Sequence, residues 1–178
     1  MIIFINGSFG AGKTTVAELL VERLPDSLLF DPEMVGYMLR AILNPIVTFY
    51  DFQDLPPWRP LVVRVAYQLR TCYGRTLVIP MTIWHRPYFD EVVGGLRQIE
   101  PDFYHFCLLA RKETLYRRLE QRGGIPEEGS WLKDRVERCV EALPSPAFAA
   151  HIDTNEKTPE EIVTAILSSL PSRGASDR

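Results

Sequence analysis

The sequence predicts a single-domain α/β fold, a three-layer sandwich in which a five-stranded parallel sheet carries helices on both faces. Three observations lead there. Five short apolar runs alternate with longer stretches whose apolar residues recur at helical spacing, the pattern of parallel strands joined by crossover helices. The first apolar run passes through a glycine-rich turn directly into one of those helical stripes. Finally, 178 residues with 46% hydrophobic and 24% charged content suffice to bury one core and suggest no second domain.

The opening segment carries the most information. Ile2, Ile3, Phe4 and Ile5 read as a buried strand, and Val16, Leu19, Leu20 and Leu24 as the inward stripe of a helix. Between them, Gly7-Ser8-Phe9-Gly10-Ala11-Gly12-Lys13-Thr14 matches GxxxxGK[ST]. In that arrangement successive backbone N–H groups wrap phosphates, the lysine reaches the β and γ phosphates, and the hydroxyl ligates Mg²⁺. Gly7, Gly10 and Gly12 let the chain turn tightly beside the anion, and the helix N-terminus adds its partial positive charge. The expected nucleotide-binding segment therefore runs from Gly7 to Thr15 and includes Phe9, Ala11, Gly12, Lys13 and Thr14.

The remaining elements follow in order. Leu24-Pro25-Asp26 breaks the first helix, and Ser27 to Phe30 reads as a second strand leading into Asp31-Pro32-Glu33. A helix is predicted from about Glu33 to Leu43 and stops at Asn44-Pro45, because the residue before a proline is pushed out of the helical region. Ile46 to Pro60 is proline- and aromatic-rich and is predicted to be an irregular, substrate-covering insert. Trp58, Leu61, Val62, Val65 and Leu69 mark a helix that ends at Tyr73-Gly74-Arg75. Thr76 to Pro80 is the third strand; Phe89, Val92, Val93 and Leu96 mark the next helix, and Phe103 to Ala110 the fourth strand. A helix over Arg111 to Arg122 ends at Gly123-Gly124, and Ile125 to Ser130 reads as a mobile loop. Val136, Cys139, Val140 and Leu143 form another helical stripe, closed by Pro144-Ser145-Pro146. His151 to Thr154 is a short fifth strand. Thr158-Pro159-Glu160-Glu161 opens a last helix to about Leu170, and 171–178 is expected to be a disordered tail.

Bulk properties exclude several classes of partner. A formal charge of −3 and a pI near 5.7 argue against a broad nucleic-acid surface. No apolar run approaches the roughly 18 residues of a membrane span, and the chain enters its first strand without a charged leader, so a cytoplasmic protein is expected. Cys72, Cys107 and Cys139 are odd in number, far apart and lack CxxC spacing, which fits reduced thiols. The last helix, with Ile162, Val163, Ile166 and Leu167 on one stripe but no basic polar face, is expected to pack on the sheet rather than lie on a membrane.

Taken together, these blocks resemble the nucleoside- and small-molecule-kinase branch of P-loop proteins, and within it the tunicamycin-resistance family of ATP-binding proteins. The resemblance rests on Ile5 to Thr14, Asp31-Pro32-Glu33, Asp51-Phe52-Gln53 with Trp58-Arg59, Pro80-Met81-Thr82-Ile83, Lys112-Glu113-Thr114-Leu115, Arg118-Leu119 with Arg122, and Arg138-Cys139-Val140-Glu141. It implies strand order 2-3-1-4-5, ATP with Mg²⁺, a lid at about 123–131, and resistance to a nucleoside antibiotic.

Phosphoryl transfer needs positioning and charge neutralisation, and the residues for it are present. Lys13 would hold phosphate oxygens and Thr14 the metal. Asp31, after the second strand, would accept the proton of an acceptor hydroxyl or help ligate Mg²⁺, or simply cap the following helix. Arg118 and Arg122, one turn apart before the lid, and Arg135 and Arg138 after it suit phosphate oxygens; a solvated basic face paired with Glu120, Glu127 or Glu128 is the alternative. Asp31, Glu33, Asp51, Trp58 and Arg59 would line the acceptor site, unless Trp58 belongs to the core. The third strand ends without the acid that often holds Mg²⁺ through water, leaving Thr82 or Asp31 as substitutes. His85 either binds substrate or is solvated. Three readings follow: an ATP-dependent phosphotransferase acting on a hydroxyl of a nucleoside-type antibiotic, a protein that sequesters drug and ATP without turnover, or a housekeeping nucleoside or nucleotide kinase.

Overall fold

The computed structural model describes residues 1–124 and 127–171, so the mobile-loop expectation at 125–126 and the tail expectation beyond Pro171 fall outside the described residues. The chain runs β1 (Ile2–Gly7), α1 (Lys13–Arg23), β2 (Ser27–Leu29), α2 (Glu33–Leu43), α3 (Trp58–Tyr73), β3 (Thr76–Pro80), α4 (Arg86–Ile99), β4 (Phe103–Leu109), α5 (Lys112–Glu120), α6 (Trp131–Ala142), β5 (His151–Asp153) and α7 (Pro159–Ser169), with short 3₁₀ turns at Phe52–Asp54 and Pro146–Phe148. All strand pairings are parallel and the order is β2-β3-β1-β4-β5.

Strand β1 is central because it is apolar on both faces. Ile2, Ile3, Phe4 and Ile5 have no exposed surface, each side chain gaining about 1.5–3 kcal/mol from burial. The pleat sends them alternately to two cores. Ile2 and Phe4 join Leu77, Ile79 and residues of α2, α3 and α4. Ile3 and Ile5 join Val78, Phe106, Leu108 and the inward faces of α1 and α7. Those are the three layers. Ile5 lies opposite Pro80 on one side and Phe106 on the other, so the strands' C-terminal ends share one rim, the ligand-binding edge of open parallel sheets.

Several element boundaries differ from expectation by a residue or two, with Ala110 and Thr154 falling outside β4 and β5 and Arg111 outside α5. Phe30 leaves the second strand although its amide still bonds Val78 O. The helix expected to reach Arg122 ends at Glu120, because Gly123 takes a left-handed φ of 80° and Gly124 N–H closes onto Leu119 O at 2.9 Å, a glycine C-terminal wrap. Helix α7 opens with a full capping box, Thr158 with Glu161, and packs on α1 through Ile162, Val163 and Ile166. Among the described residues no helix is long and apolar enough to cross a membrane. All three cysteines are free, and burial pushes the Cys107 thiol up to about 12 and that of Cys139 to about 11.

Candidate functional site

The turn after β1 is tied down by its own backbone and by the neighbouring strand end. Asn6, fully buried, accepts at Oδ1 from Gly7 N–H (2.8 Å) and Ile83 N–H (2.9 Å), and its Nδ2 donates to Ile83 O (2.9 Å). Thr82 Oγ1 donates to Gly7 O at 2.8 Å. The third-strand hydroxyl expected as a metal substitute thus serves first to pin the loop. Gly10 turns with φ 79°, and a Cβ there would lie 2.9 Å from Leu115 O; at Gly7 it would lie 2.8 Å from Leu108 O. Real side chains do not fit at either position.

Lys13 opens α1 and bends back over the loop, its Nζ donating to Ser8 O at 3.0 Å and lying 5.6 Å from the Phe9 ring centre. Crowding by protein atoms lowers its pKa to about 8, a desolvation effect that nearby Glu33 opposes in part. A phosphate there would reverse that shift. With Lys13, a cavity of about 220 Å³ brings together Gly10, Gly12, Thr14, Asp31, Glu33 and Arg122. Asp31 Oδ1 accepts from Glu33 N–H at 2.9 Å. Its carboxylate therefore secures the start of α2 and lines the chamber beside Lys13 at once.

Arg118 and Arg122 part company despite being one turn apart. Arg122 borders the phosphate chamber, whereas Arg118 donates through Nη1 to Thr154 Oγ1 (3.1 Å) and through Nη2 to Thr154 O. Arg118 lines a separate cavity of about 200 Å³ with Ala11, Thr15 and Pro159, which Arg122 also borders. Arg135 and Arg138 pair with aspartates rather than with the glutamates considered: Arg135 with Asp51 (3.2 Å) and Arg138 with Asp134.

The phosphate chamber opens, past Phe9, Glu33, Met81 and Thr82, into a larger cavity of about 480 Å³. Tyr37 and Arg40 of α2 form one wall, Tyr50 to Gln53 a second, and Trp84, Trp131 and Arg135 a third. Arg135 lies 5.7 Å from the Trp84 ring and 5.5 Å from Trp131, and Trp131 meets Phe9 edge-on at 5.3 Å. Burial raises the Asp51 pKa, with Gln53 N–H and Arg135 pulling the other way. Gln53 Nε2 reaches Thr82 O at 2.9 Å, tying this wall to the end of β3.

Trp58 and Arg59 require correction. Trp58 is completely buried, with its indole N–H on Pro32 O at 3.2 Å and its ring 5.4 Å from Phe52, so it supports the acceptor wall from behind and presents no face to a ligand. Arg59 lines neither the chamber nor the large cavity; it donates to Gln53 O at 2.5 Å, pairs with Glu91 and covers Tyr88. Phe52 reaches its place because Gly36 has no side chain: a Cβ there would come within 2.5 Å of its ring. The sequence reading did not assign Asn6, Tyr37, Tyr50, Trp131 or the Asp51–Arg135 pair to the site. The available signal was Ser130, which caps α6 at Lys133 N–H and thereby sets Trp131 and Arg135 one turn apart on the helix facing the loop. His105 and His151 are structural, bonded to Ala149 O and Leu143 O.

The profile of a family described as an AAA domain matches residues 2–141. A protein of Thermococcus onnurineus (strain NA1), provisionally named an adenylate kinase, is 30% identical over 97% of this chain and 85% of its own length. The Deinococcus radiodurans tunicamycin resistance protein superposes with a TM-score of 0.78 at 27% identity, covering 94% of this chain and 93% of that one. At the level of fold alone, a Sinorhizobium meliloti 1021 gluconokinase (TM-score 0.65, 20% identity, 93% and 89% coverage) and the Acinetobacter baumannii shikimate kinase in complex with shikimate (0.63, 17%, 94% and 90%) share the architecture.

Proposed function

Because the chain belongs to that AAA domain family and has the P-loop kinase fold, we propose that it transfers the γ-phosphoryl group of ATP to a hydroxyl of a nucleoside-type small molecule, a nucleoside antibiotic such as tunicamycin among the acceptors. One observation carries this reading: Lys13, Thr14, Asp31 and Arg122 line a chamber that opens directly into a larger aromatic cavity. A triphosphate on the loop and a ring-bearing acceptor in that cavity would meet at Asp31.

In this reading Lys13 and the loop amides hold the β and γ phosphates and Arg122 neutralises charge that develops in transfer. Arg118 and Thr15, on the far side of the loop, border the remainder of the nucleotide. The acceptor oxygen bonds to the γ phosphorus, the bond to the ADP oxygen breaks, and the acceptor proton passes to Asp31. Thr14 and Asp31 are the oxygen donors that would hold Mg²⁺. The remaining ligands of such an ion would come from phosphate and water. Mg²⁺ supplies charge neutralisation on the transferring phosphate. Trp131, the last residue of the expected lid, already meets Phe9 edge-on at 5.3 Å.

Sequestration without turnover is the second reading. The observation that favours it is that no acid follows β3, where the Thr82 hydroxyl is already engaged with Gly7 O, while Asp31 after β2 already accepts from Glu33 N–H. Mass spectrometry of tunicamycin after incubation with protein, ATP and Mg²⁺ decides between them. Transfer predicts a drug heavier by one phosphoryl group, with loss of the product in Lys13→Ala and in Asp31→Asn. Asparagine retains the helix cap, so Asp31→Asn should leave stability within about 0.5 kcal/mol while cutting kcat by roughly 10²–10⁴. An unmodified drug that binds more tightly with ATP present would overturn transfer, and turnover of common nucleosides alone would indicate a housekeeping kinase.

A further inference from the structure

Apolar exposure on this chain is concentrated on one helix face. Of the ten large apolar side chains exposed among the described residues, seven lie between Met34 and Tyr50. Tyr37 and Tyr50 belong to the wall of the large cavity, but Met34, Met38, Ile42, Ile46 and Val47 line neither that cavity nor the phosphate chamber. Met34, Met38 and Ile42 stand four residues apart on α2 and so form one ridge. The chain keeps turning past the helix end, with Ile46 N–H and Val47 N–H both on Leu43 O at 2.9 Å, which extends the ridge to Ile46. No charge interrupts it. Glu33 and Arg40, the charged residues of α2, line the large cavity instead. A helix this apolar on both sides belongs between two packed layers, yet only Val35, Gly36 and Leu39 of α2 are buried.

The composition of each possible occupant separates them. Residues 172–178 hold no large apolar side chain, so the end of the chain has nothing to set against the ridge. A bilayer surface holds helices that flank their apolar face with lysine and arginine, whereas Arg40 is the single charged residue from 34 to 50 and the formal charge of the chain is −3. A second copy of α2 fits. The ridge follows an i±4 row, which packs into the groove of a like helix at a crossing angle of about −50°. Around a twofold axis at Met38, Met34 of each copy meets Ile42 of the other, and the two Met38 side chains meet on the axis. The same patch then serves both copies, as in most soluble dimers. The five outward side chains are 42–77% exposed. At about 200 Å² for a whole residue of this size they offer on the order of 600 Å² per copy, so a pair buries about 1,200 Å², the lower edge of specific interfaces. Association at that edge is reversible and depends on concentration.

We propose that the outer face of α2 is the interface of a reversible, twofold homodimer. Neither ATP nor an acceptor takes part, so the pairing stands or falls apart from phosphoryl transfer.

Sedimentation equilibrium of the full chain, from about 1 to about 200 µM, reads the pairing directly. The average mass should rise from 20.4 kDa toward twice that value. Met38→Glu and Ile42→Glu place a carboxylate in the apolar contact and should each weaken association by at least about tenfold. Tyr73→Glu, at an exposed residue ending α3, should leave it unchanged. A cross-link gives a second measurement that needs no glutamate variant to fold. With Cys72→Ser removing the exposed thiol, Met38→Cys should form a covalent dimer under copper-catalysed air oxidation, and Tyr73→Cys should not. A mass of 20.4 kDa at every concentration overturns the proposal, as does a dimer undiminished by Met38→Glu or a Met38→Cys protein that stays uncoupled. Co-sedimentation of a monomer with vesicles of phosphatidylcholine and phosphatidylglycerol, lost in Met38→Glu, would overturn it too and give the face to a lipid surface.

Discussion

The phosphate loop and the acceptor wall lie side by side on one rim but are built differently. The loop is one continuous segment whose groups are mostly backbone, shaped by Gly7, Gly10 and Gly12 and anchored by Asn6 and Thr82. The wall is assembled from four separated stretches: α2, the turn at Phe52–Asp54, the end of β3, and α6. Its decisive contact, Arg135 on Asp51, spans much of the chain. A backbone site tolerates almost no change in its few fixed positions, whereas a side-chain site can be re-specified residue by residue. The contrast fits a fold in which phosphate binding is constant and acceptor choice varies.

Gly10→Ala tests that difference most severely. The new methyl would meet Leu115 O, a backbone atom that cannot step aside, at a φ of 79°. Stability should fall by about 2–4 kcal/mol in urea titration, and ATP binding should be lost with it. Arg135→Met, on the opposite side of the comparison, leaves buried Asp51 without its cation. A loss of about 1–3 kcal/mol is expected, with acceptor KM raised about tenfold or more and ATP affinity unchanged. Equal damage to ATP affinity would show that the two regions are not separable.

Lys13→Met should separate binding from stability within the loop itself. Its folded pKa of about 8 lies below the ordinary value of 10.5, so between those values the unfolded chain binds more protons and this residue's contribution to stability rises with pH. At pH 7 the crowded, part-buried ammonium is a cost, and the methionine variant should be more stable by about 1–3 kcal/mol, lose the stability gain from pH 8 to 10.5, and bind ATP at least about 100-fold more weakly. Equilibrium unfolding at pH 7 and pH 10 and a nucleotide titration check all three. In the unsubstituted protein, ATP affinity should decline as pH rises through 8, where the apo lysine loses its proton.

The smallest effect concerns Trp84, whose ring meets the acceptor cavity while Trp58 does not. Trp84→Phe should change acceptor KM by about threefold and stability by less than about 1 kcal/mol. Trp58→Phe should leave acceptor KM unchanged and lower stability by about 1–2 kcal/mol, since it removes the bond to Pro32 O from the core. A reversal of these effects would put Trp58 back in the acceptor site.

The legible part of the molecule was the part whose cause is local. Strand β1, the glycine turn, the cap of α7 and the class of sheet follow from periodicity and from φ values that only glycine accepts easily, and each needs only a few neighbouring residues to be read. Asp31 was legible as an acid on the same rim as Lys13 for the same reason, since it follows a strand end. Trp58 misled because an aromatic in a proline-rich segment looks the same whether it faces a ligand or the core. Packing against Phe52 beneath Gly36 decided that, and no spacing rule encodes it. Arg118 and Arg122 share one helix face on paper, but Thr154 at the end of β5 captures one of them. Arg135 found Asp51 only because the sheet order brings α6 against the turn after α2. Backbone conformation and burial period were thus determined by the sequence itself, through sterics and hydrophobicity acting within a few residues. Partner choice among charged and aromatic side chains was decided by tertiary structure, because long side chains have many partners within reach and topology selects among them.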